Sequence, residues 1–145
     1  MLCWYTISLL DCYIDVTPFA VGGPYQVQLF INYPNIYTTA VNLGVSTIGP
    51  SFEYPNGWNG YFSVNIKLRK MIITHLLDVD WGGFTYEFFG PVVTSLTSGA
   101  YLPQPAYFIS STAANPGTLT STATTISLNW QGIIFHQGEE IIIGW

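Results

Sequence analysis

The stretch that decides the fold is residues 60–81, GYFSVNIKLRKMIITHLLDVDW. Its first half alternates, with Phe62, Val64 and Ile66 on one face and mostly polar residues on the other. A period of two, rich in β-branched and aromatic residues, is typical of a half-buried strand. Residues 71–77 are mostly apolar and predict either a second strand, covered on both faces, or a short helix.

The rest of the chain repeats this pattern of short strand-like segments between turns. Gly, Pro and Asn residues separate the segments at short spacing. Outside the central pair, the predicted strands are residues 2–10, 12–17, 25–31, 36–45, 84–89, 92–97, 106–112, 118–130, 133–136 and 140–145. Residues 49–60 and 98–105 are predicted to be loops because they are rich in Gly and Pro.

This pattern predicts an all-β fold. Roughly eight to ten short strands separated by tight turns suit an antiparallel β-sandwich of the jelly-roll type. A length of 145 residues is consistent with a single domain over residues 1–145. An immunoglobulin-like sandwich has fewer strands, and no internal repeat supports a propeller or a solenoid.

The composition is the strongest indication of function. Charged residues make up 8% of the chain, whereas about 25% is usual for soluble domains. Aromatic residues make up 17%, which is unlike a disordered chain. A surface with so few charges provides little repulsion between copies. We therefore expect a subunit whose surface is largely covered by neighbouring copies.

The only three basic residues are Lys67, Arg69 and Lys70, and the formal net charge is −5. A nucleic-acid backbone needs many basic contacts, so direct nucleic-acid binding is not expected. The three cations could instead bind carboxylates of a protein partner. They could equally protect a strand edge from pairing with another chain.

Aromatic residues in loops and near the termini are the main candidates for an interface. Such residues serve as buried anchors at protein interfaces and as stacking platforms for sugars. Interfaces are favoured here because sugar sites also carry charged hydrogen-bonding side chains, and this chain has few. Some of these rings could also pack beneath their own loops. The predicted interface residues are Trp4, Tyr54, Trp58, Trp81, Tyr101 and Trp145, together with the three cations, and Tyr107 is a further aromatic residue near a loop.

Evidence for catalysis is weak. Asp78 and Asp80 could have the spacing of a glycosidase pair, but they precede a Gly-Gly turn, where Asp commonly forms turn hydrogen bonds. His75 and His136 are predicted to be structural, although His75 could act as a pH switch at an interface. No Gly-x-Ser-x-Gly motif or metal-site spacing occurs. We expect no enzymatic activity, no cofactor and no metal.

The N-terminal region holds both cysteines, Cys3 and Cys12. They are predicted to be two small buried thiols, and could form a disulfide only if the chain turns between them. The same region lacks the basic start of a signal peptide, and no run of 18 apolar residues is long enough to span a membrane. Both termini are strand-like, and we expect them to join the sheet or a neighbouring copy.

Together these features predict a non-enzymatic structural subunit of a large assembly. The expected setting is a virion, with the chain as a capsid protein or a minor or decorating capsid-associated protein. It would contact copies of itself and other coat proteins through aromatic loops and terminal strands. One alternative is a carbohydrate-binding or adhesion module at the cell surface that uses Tyr54, Trp58 and Trp81. The other is a subunit of an extracellular filament.

Overall fold

A computed structural model describes residues 26–32, 41–47, 52–67, 69–81, 88–95, 102 and 104–145. For residues 26–32, 41–47 and Trp58 only the backbone is described. The predicted strands 2–10 and 12–17, and most of 84–89, lie outside the described residues. So do four residues discussed above, Cys3, Trp4, Cys12 and Tyr101.

The described residues are mostly β-strand, and the all-β prediction is confirmed. The first six strands are β1 (Gln26–Asn32), β2 (Val41–Thr47), β3 (Tyr54–Asn56), β4 (Phe62–Lys67), β5 (Lys70–His75) and β6 (Val79–Asp80). The other six are β7 (Gly90–Ser95), β8 (Tyr107–Ser111), β9 (Thr118–Ser121), β10 (Thr125–Asn129), β11 (Ile134–Phe135) and β12 (Glu140–Gly144). A single helical turn, α1 (Gly57–Gly60), lies between β3 and β4.

The strands form three sheets in the described part of the chain. Sheet A has the order β2-β1-β7-β10-β9, sheet B the order β3-β4-β5-β12-β8, and sheet C consists of β11 and β6. All neighbouring strands are antiparallel. The sheets are open, because sheets A and B each end in two edge strands rather than closing on themselves.

The central stretch forms the hairpin of β4 and β5, so the alternative of a short helix at residues 71–77 is wrong. The register runs from Phe62↔His75 to Lys67↔Lys70, and Arg69 in the turn has a φ of 56°. Strand β5 also pairs with β12, so its backbone is hydrogen-bonded on both sides.

Burial of the two central strands is the reverse of the prediction. Strand β4, expected to be half-buried, is buried at five consecutive residues, including the polar Ser63 and Asn65. Strand β5, expected to be covered on both faces, is buried only at alternate residues. Alternation identifies the face that packs in the core, but it does not report what covers the opposite face.

A two-stranded ribbon connects sheet B to sheet A. Strand β5 pairs with β12 in sheet B, β6 pairs with β11 in sheet C, and β7 pairs with β10 in sheet A. The chain thus runs through β5, β6 and β7 antiparallel to its own later course through β10, β11 and β12. Sheet C is the point at which this ribbon passes from one large sheet to the other.

The buried faces of sheets A and B contribute to one hydrophobic cluster. Alternating positions of β4, β5, β7, β10 and β12 supply most of its aliphatic members, which is the expected result of the two-residue period. They are Val64, Ile66, Met71, Ile73, Val93, Ile126, Leu128, Ile141 and Ile143.

The predicted long strand at residues 118–130 is a hairpin of two shorter strands. Strands β9 and β10 pair with each other, from Asn129↔Thr118 to Ile126↔Ser121. At the turn, the Thr122 Oγ1 accepts hydrogen bonds from the backbone N–H of Thr124 (3.3 Å) and Thr125 (3.1 Å). The turn was missed because a threonine side chain stabilises it without any Gly, Pro or Asn.

Candidate assembly interface

The three cations lie at one end of sheet B, which we call the cationic end (Lys67, Arg69 and Lys70). The turn between β4 and β5 places them together, and Lys67 and Arg69 are exposed while Lys70 is half-buried. In the sheet register Lys70 is opposite Gly144, and Gly144 is opposite Tyr107. The cationic end therefore lies in the same row of the sheet as the first residue of β8.

Strand β8 is an edge strand with exposed apolar side chains. Tyr107, Phe108 and Ile109 are 49%, 36% and 50% exposed, respectively. One side of β8 pairs with β12, and no described strand pairs with the other side. The sequence contains no Asp, Glu, Lys or Arg between Glu87 and Glu139, so no charge on β8 protects this edge. Exposed apolar residues grouped in this way are typical of an interaction site.

The exposed side chains of β8 lean across β12. A Cβ atom on Gly144 would lie 2.8 Å from the Cδ1 of Ile109 and 3.0 Å from the Cζ of Tyr107. The register between β12 and β8 also shifts at this point, which leaves Ile109 as a bulge without a partner residue. Bulges discourage the addition of a further strand to an edge. The side chains of β8, rather than its backbone, are therefore the better candidate for a contact surface.

Carboxylates lie at the opposite end of sheet B, which we call the acidic end (Asp78, Asp80 and Glu139). Asp78 accepts a 2.8 Å hydrogen bond from the backbone N–H of Gln137, and its carboxylate is 3.7 Å from the His136 ring. Glu139 accepts a 2.8 Å hydrogen bond from the backbone N–H of His136. Asp78 thus has a turn-stabilising role in the turn at residues 136–139, while the turn predicted at residues 82–83 lies outside the described residues.

The acidic end also carries exposed apolar residues that sequence reasoning missed. Leu77 is 46% exposed and Ile134 is 60% exposed. Leu77 directly precedes Asp78, and Ile134 is the register partner of Asp80. The pairing of β6 with β11 places Ile134 opposite Asp80, which the sequence alone does not reveal because residues 80 and 134 are far apart along the chain.

Three of the aromatic residues predicted at an interface are buried in the chain's own core. Tyr54 is 7% exposed, Trp81 is 1% exposed and Trp145 is 2% exposed. Their rings do not face a neighbouring copy, which corrects the prediction for these three residues. Trp58 lies in α1, and its side chain is outside the described part of the structure.

The buried aromatic residues gather around His75, and we call this group the aromatic corner (Phe62, His75, Trp81, Trp130 and Phe135). The His75 ring stacks on Phe135 with a centroid distance of 3.9 Å and an interplanar angle of 10°. The ring centroid of Trp130 lies 4.8 Å from that of His75, 5.3 Å from that of Phe62 and 5.2 Å from that of Trp81. The group lies where sheet B, with Phe62 and His75, is followed by sheet C, with Phe135.

His75 is fully buried, and burial lowers its pKa from 6.5 to about 4, with a smaller opposing effect from the nearby backbone of Glu139. Neither ring nitrogen has a hydrogen-bond partner in the structure. His75 is therefore neutral at neutral pH. Its position is consistent with the structural role predicted for it.

Two of the surface cavities are lined by described residues. The first, about 320 Å³, is lined by Leu102, Gln104, Pro105, Ser121, Thr122 and Ala123. The second, about 270 Å³, is lined by Phe52, Pro55, Ser63, Thr74 and Leu76. Neither lining includes a carboxylate, an imidazole or a basic group. Among the described residues, no group of three His, Cys, Asp or Glu side chains is placed to hold a metal ion.

Comparison with known proteins found no matching family, no similar curated protein and no similar solved structure. In the part of the chain that the structure describes, no helix has the length and apolar character needed to cross a membrane.

Proposed function

We propose that this chain is a non-enzymatic structural subunit of a large assembly, with a viral coat as its setting. The observation that carries the proposal is the exposed apolar strand β8 in a chain with only 8% charged residues. In an isolated subunit these side chains would remain in water, whereas contact with neighbouring copies would bury them. Aromatic and aliphatic anchors with few charges are the usual composition at the centre of such contacts.

The arrangement proposed for the domain is a jelly-roll sandwich of sheets A and B. Support comes from the ribbon that passes from β5·β12 through β6·β11 to β7·β10. An antiparallel ribbon wound across two sheets is the organisation of a jelly roll, a fold found in viral capsid and lectin domains. The common hydrophobic cluster of the two sheets supports the same arrangement.

The structural subunit is favoured over the carbohydrate-binding module. The sugar platform was expected to use Tyr54, Trp58 and Trp81, but Tyr54 and Trp81 are buried. Stacking on a sugar needs an exposed ring face, so these two residues are not available for it. The exposed aromatic residues of sheet B are Tyr107 and Phe108 on β8, next to the cationic end.

The test is the mass of the purified chain in solution at neutral pH, measured by light scattering after size-exclusion chromatography. We expect species well above the 16.1 kDa of one chain. A double variant, Tyr107→Ser with Ile109→Ser, should reduce their size. A matched control, Thr118→Ala with Thr120→Ala on the exposed edge strand β9, should leave it unchanged. A wild-type chain that stays monomeric at high concentration would contradict the proposal.

A further inference from the structure

We propose that copies of this chain associate head to tail, with the cationic end of one copy against the acidic end of the next. This inference rests on the proposed function and specifies the geometry of the contact. The partner is a second copy of the chain, and the two surfaces in contact are the opposite ends of sheet B.

Apart from the buried Glu53, which accepts a hydrogen bond from the Ile66 backbone N–H near the cationic end, the charged side chains of the described residues are segregated along the strand direction. Strand β5 starts at Lys70 in the cationic end and finishes at His75, three residues before Asp78 in the acidic end. At about 3.4 Å per residue, β5 alone separates the two ends by roughly 17 Å. The Debye length at physiological salt is only about 8 Å, so the two ends do not neutralise each other within one copy.

Lys67 and Lys70 are available to a partner at the cationic end, and Asp78 and Asp80 are exposed at the acidic end. Lys67 and Lys70 form no ion pair with any described carboxylate, and Lys67 is exposed. At the other end the Asp78 side chain is 77% exposed and has only the exposed His136 as a nearby cationic candidate. Each end therefore offers charge of a single sign to a neighbour.

Exposed apolar side chains accompany the charges at both ends. Tyr107 lies in the same row as Lys70 at the cationic end, and Ile109 packs beside it over Gly144. Leu77 and Ile134 lie beside Asp78 and Asp80 at the acidic end. A contact with apolar residues flanked by opposite charges has the usual composition of a specific interface.

Symmetric pairing of β8 with β8 of a second copy is the competing geometry. The bulge at Ile109 argues against it, because the bulge interrupts the regular edge that strand addition needs. A head-to-tail contact instead uses two different surfaces, so it does not close after two copies. Such contacts build rings or filaments, which agrees with a subunit of a large assembly.

The test uses two charge-reversed variants of the full chain. The first carries Lys67→Glu and Lys70→Glu, which are opposite each other in the hairpin, so the like-charge pair is kept with its sign reversed. The second carries Asp78→Asn, Asp80→Lys and Gln137→Lys. Asparagine at position 78 keeps an oxygen that can accept the hydrogen bond from the Gln137 backbone.

We expect each variant alone to associate at least about tenfold more weakly than the wild type, because like charges then meet at the contact. An equimolar mixture of the two should recover large species, since the reversed ends are again complementary. Thr118→Glu with Thr120→Glu on β9 is the control for added negative charge, and it should assemble like the wild type. Circular dichroism and thermal unfolding would establish that all variants are folded.

Three results would overturn the head-to-tail contact. Either reversed variant could assemble as the wild type does, the folded mixture could remain dissociated, or the β9 control could dissociate equally. In each of these cases the wild type still assembles, so the proposed function survives. A wild type that is monomeric at every concentration would overturn the proposed function, and this inference with it.

Discussion

The aromatic corner and strand β8 are both rich in large apolar side chains and free of charge, yet they have opposite environments. His75, Trp130 and Phe135 in the corner are fully buried and in mutual ring contact. On β8, Tyr107 and Ile109 are about half exposed, at 49% and 50%. Similar composition has produced a core in one region and a surface in the other.

The difference follows from the position of each strand in its sheet. Strands β4 and β5 have a strand neighbour on each side, and their buried faces belong to the cluster shared with sheet A. Strand β8 has one described neighbour, β12, and a bulge that interrupts its register. The difference in burial between these two regions therefore follows from sheet topology.

The largest effect is expected for Trp130→Ala. Trp130 is fully buried and contacts Phe62, His75 and Trp81, so truncation leaves a large cavity. We expect the free energy of unfolding to fall by about 3–5 kcal/mol. Phe108→Ala, at a residue that is 36% exposed, should cost clearly less. Denaturant unfolding of the two variants measures the contrast, and equal losses would remove the distinction between the regions.

A smaller effect is expected from titration of His75. Its folded pKa of about 4 lies below the ordinary value of 6.5, so the unfolded chain binds the proton more readily between these values. The free energy of unfolding should therefore fall as the pH drops from about 6.5 to about 4, and this contribution is lost entirely below that range. The shift corresponds to about 3 kcal/mol. Unfolding measured at a series of pH values tests this.

The matched variants for this titration are His75→Phe and His136→Gln. Phenylalanine at position 75 keeps an aromatic ring stacked on Phe135 but cannot be protonated. The fall in the free energy of unfolding between about pH 6.5 and about pH 4 should therefore be smaller by about 3 kcal/mol. His136 is 70% exposed, and His136→Gln serves as the control for replacing a histidine at the surface. If His75→Phe retained the full slope, the buried histidine would not be its source.

A third prediction concerns the side-chain contact between β12 and β8. In Gly144→Ala the new methyl group would crowd the Cδ1 of Ile109 and the Cζ of Tyr107, which lie towards the outer ends of half-exposed side chains and can shift into solvent. We expect a loss of about 1 kcal/mol in the free energy of unfolding. Combining it with Ile109→Ala should recover part of the loss, because the space is then available. A double-mutant cycle with no coupling would show that the two side chains do not meet.

The smallest effect on stability is expected for Tyr107→Ser with Ile109→Ser. Because both residues are half exposed, the free energy of unfolding of the isolated chain should change by no more than about 1 kcal/mol. Association should nevertheless weaken, as measured by light scattering. A large loss of stability with unchanged association would mean that β8 belongs to the core rather than to an interface.

The positions of the strands along the chain were largely predictable from the sequence, whereas the burial of their two faces was not. Alternation placed β1, β4, β7 and β12 within a few residues of their observed bounds, because it reflects contacts that recur every second residue. It could not show that Ser63 and Asn65 would also be buried, since their cover depends on distant parts of the chain. The Thr122 turn was missed because its hydrogen bonds come from a side chain that is also common in strands.

The candidate interface was predictable only where its residues are adjacent in sequence. The cationic end was recognised because Lys67, Arg69 and Lys70 lie within one turn. The acidic end joins Asp78 and Asp80 to Glu139 through the pairing of β6 with β11 and β5 with β12, which no local pattern encodes. Of the exposed side chains of β8, only Tyr107 was singled out from the sequence, since a strand sequence does not state whether the strand is central or at an edge.

The position of β12 within sheet B has a consequence for how the chain acquires its structure. Strand β12 lies between β5 and β8, but β5 ends at residue 75 and β12 begins only at residue 140. During synthesis the β4–β5 hairpin must therefore wait, with one side of β5 unpaired, until β12 has been made. Contacts between such distant segments also make folding slow. Until β12 pairs with β5, the unpaired side of β5 is a site for incorrect pairing with other chains.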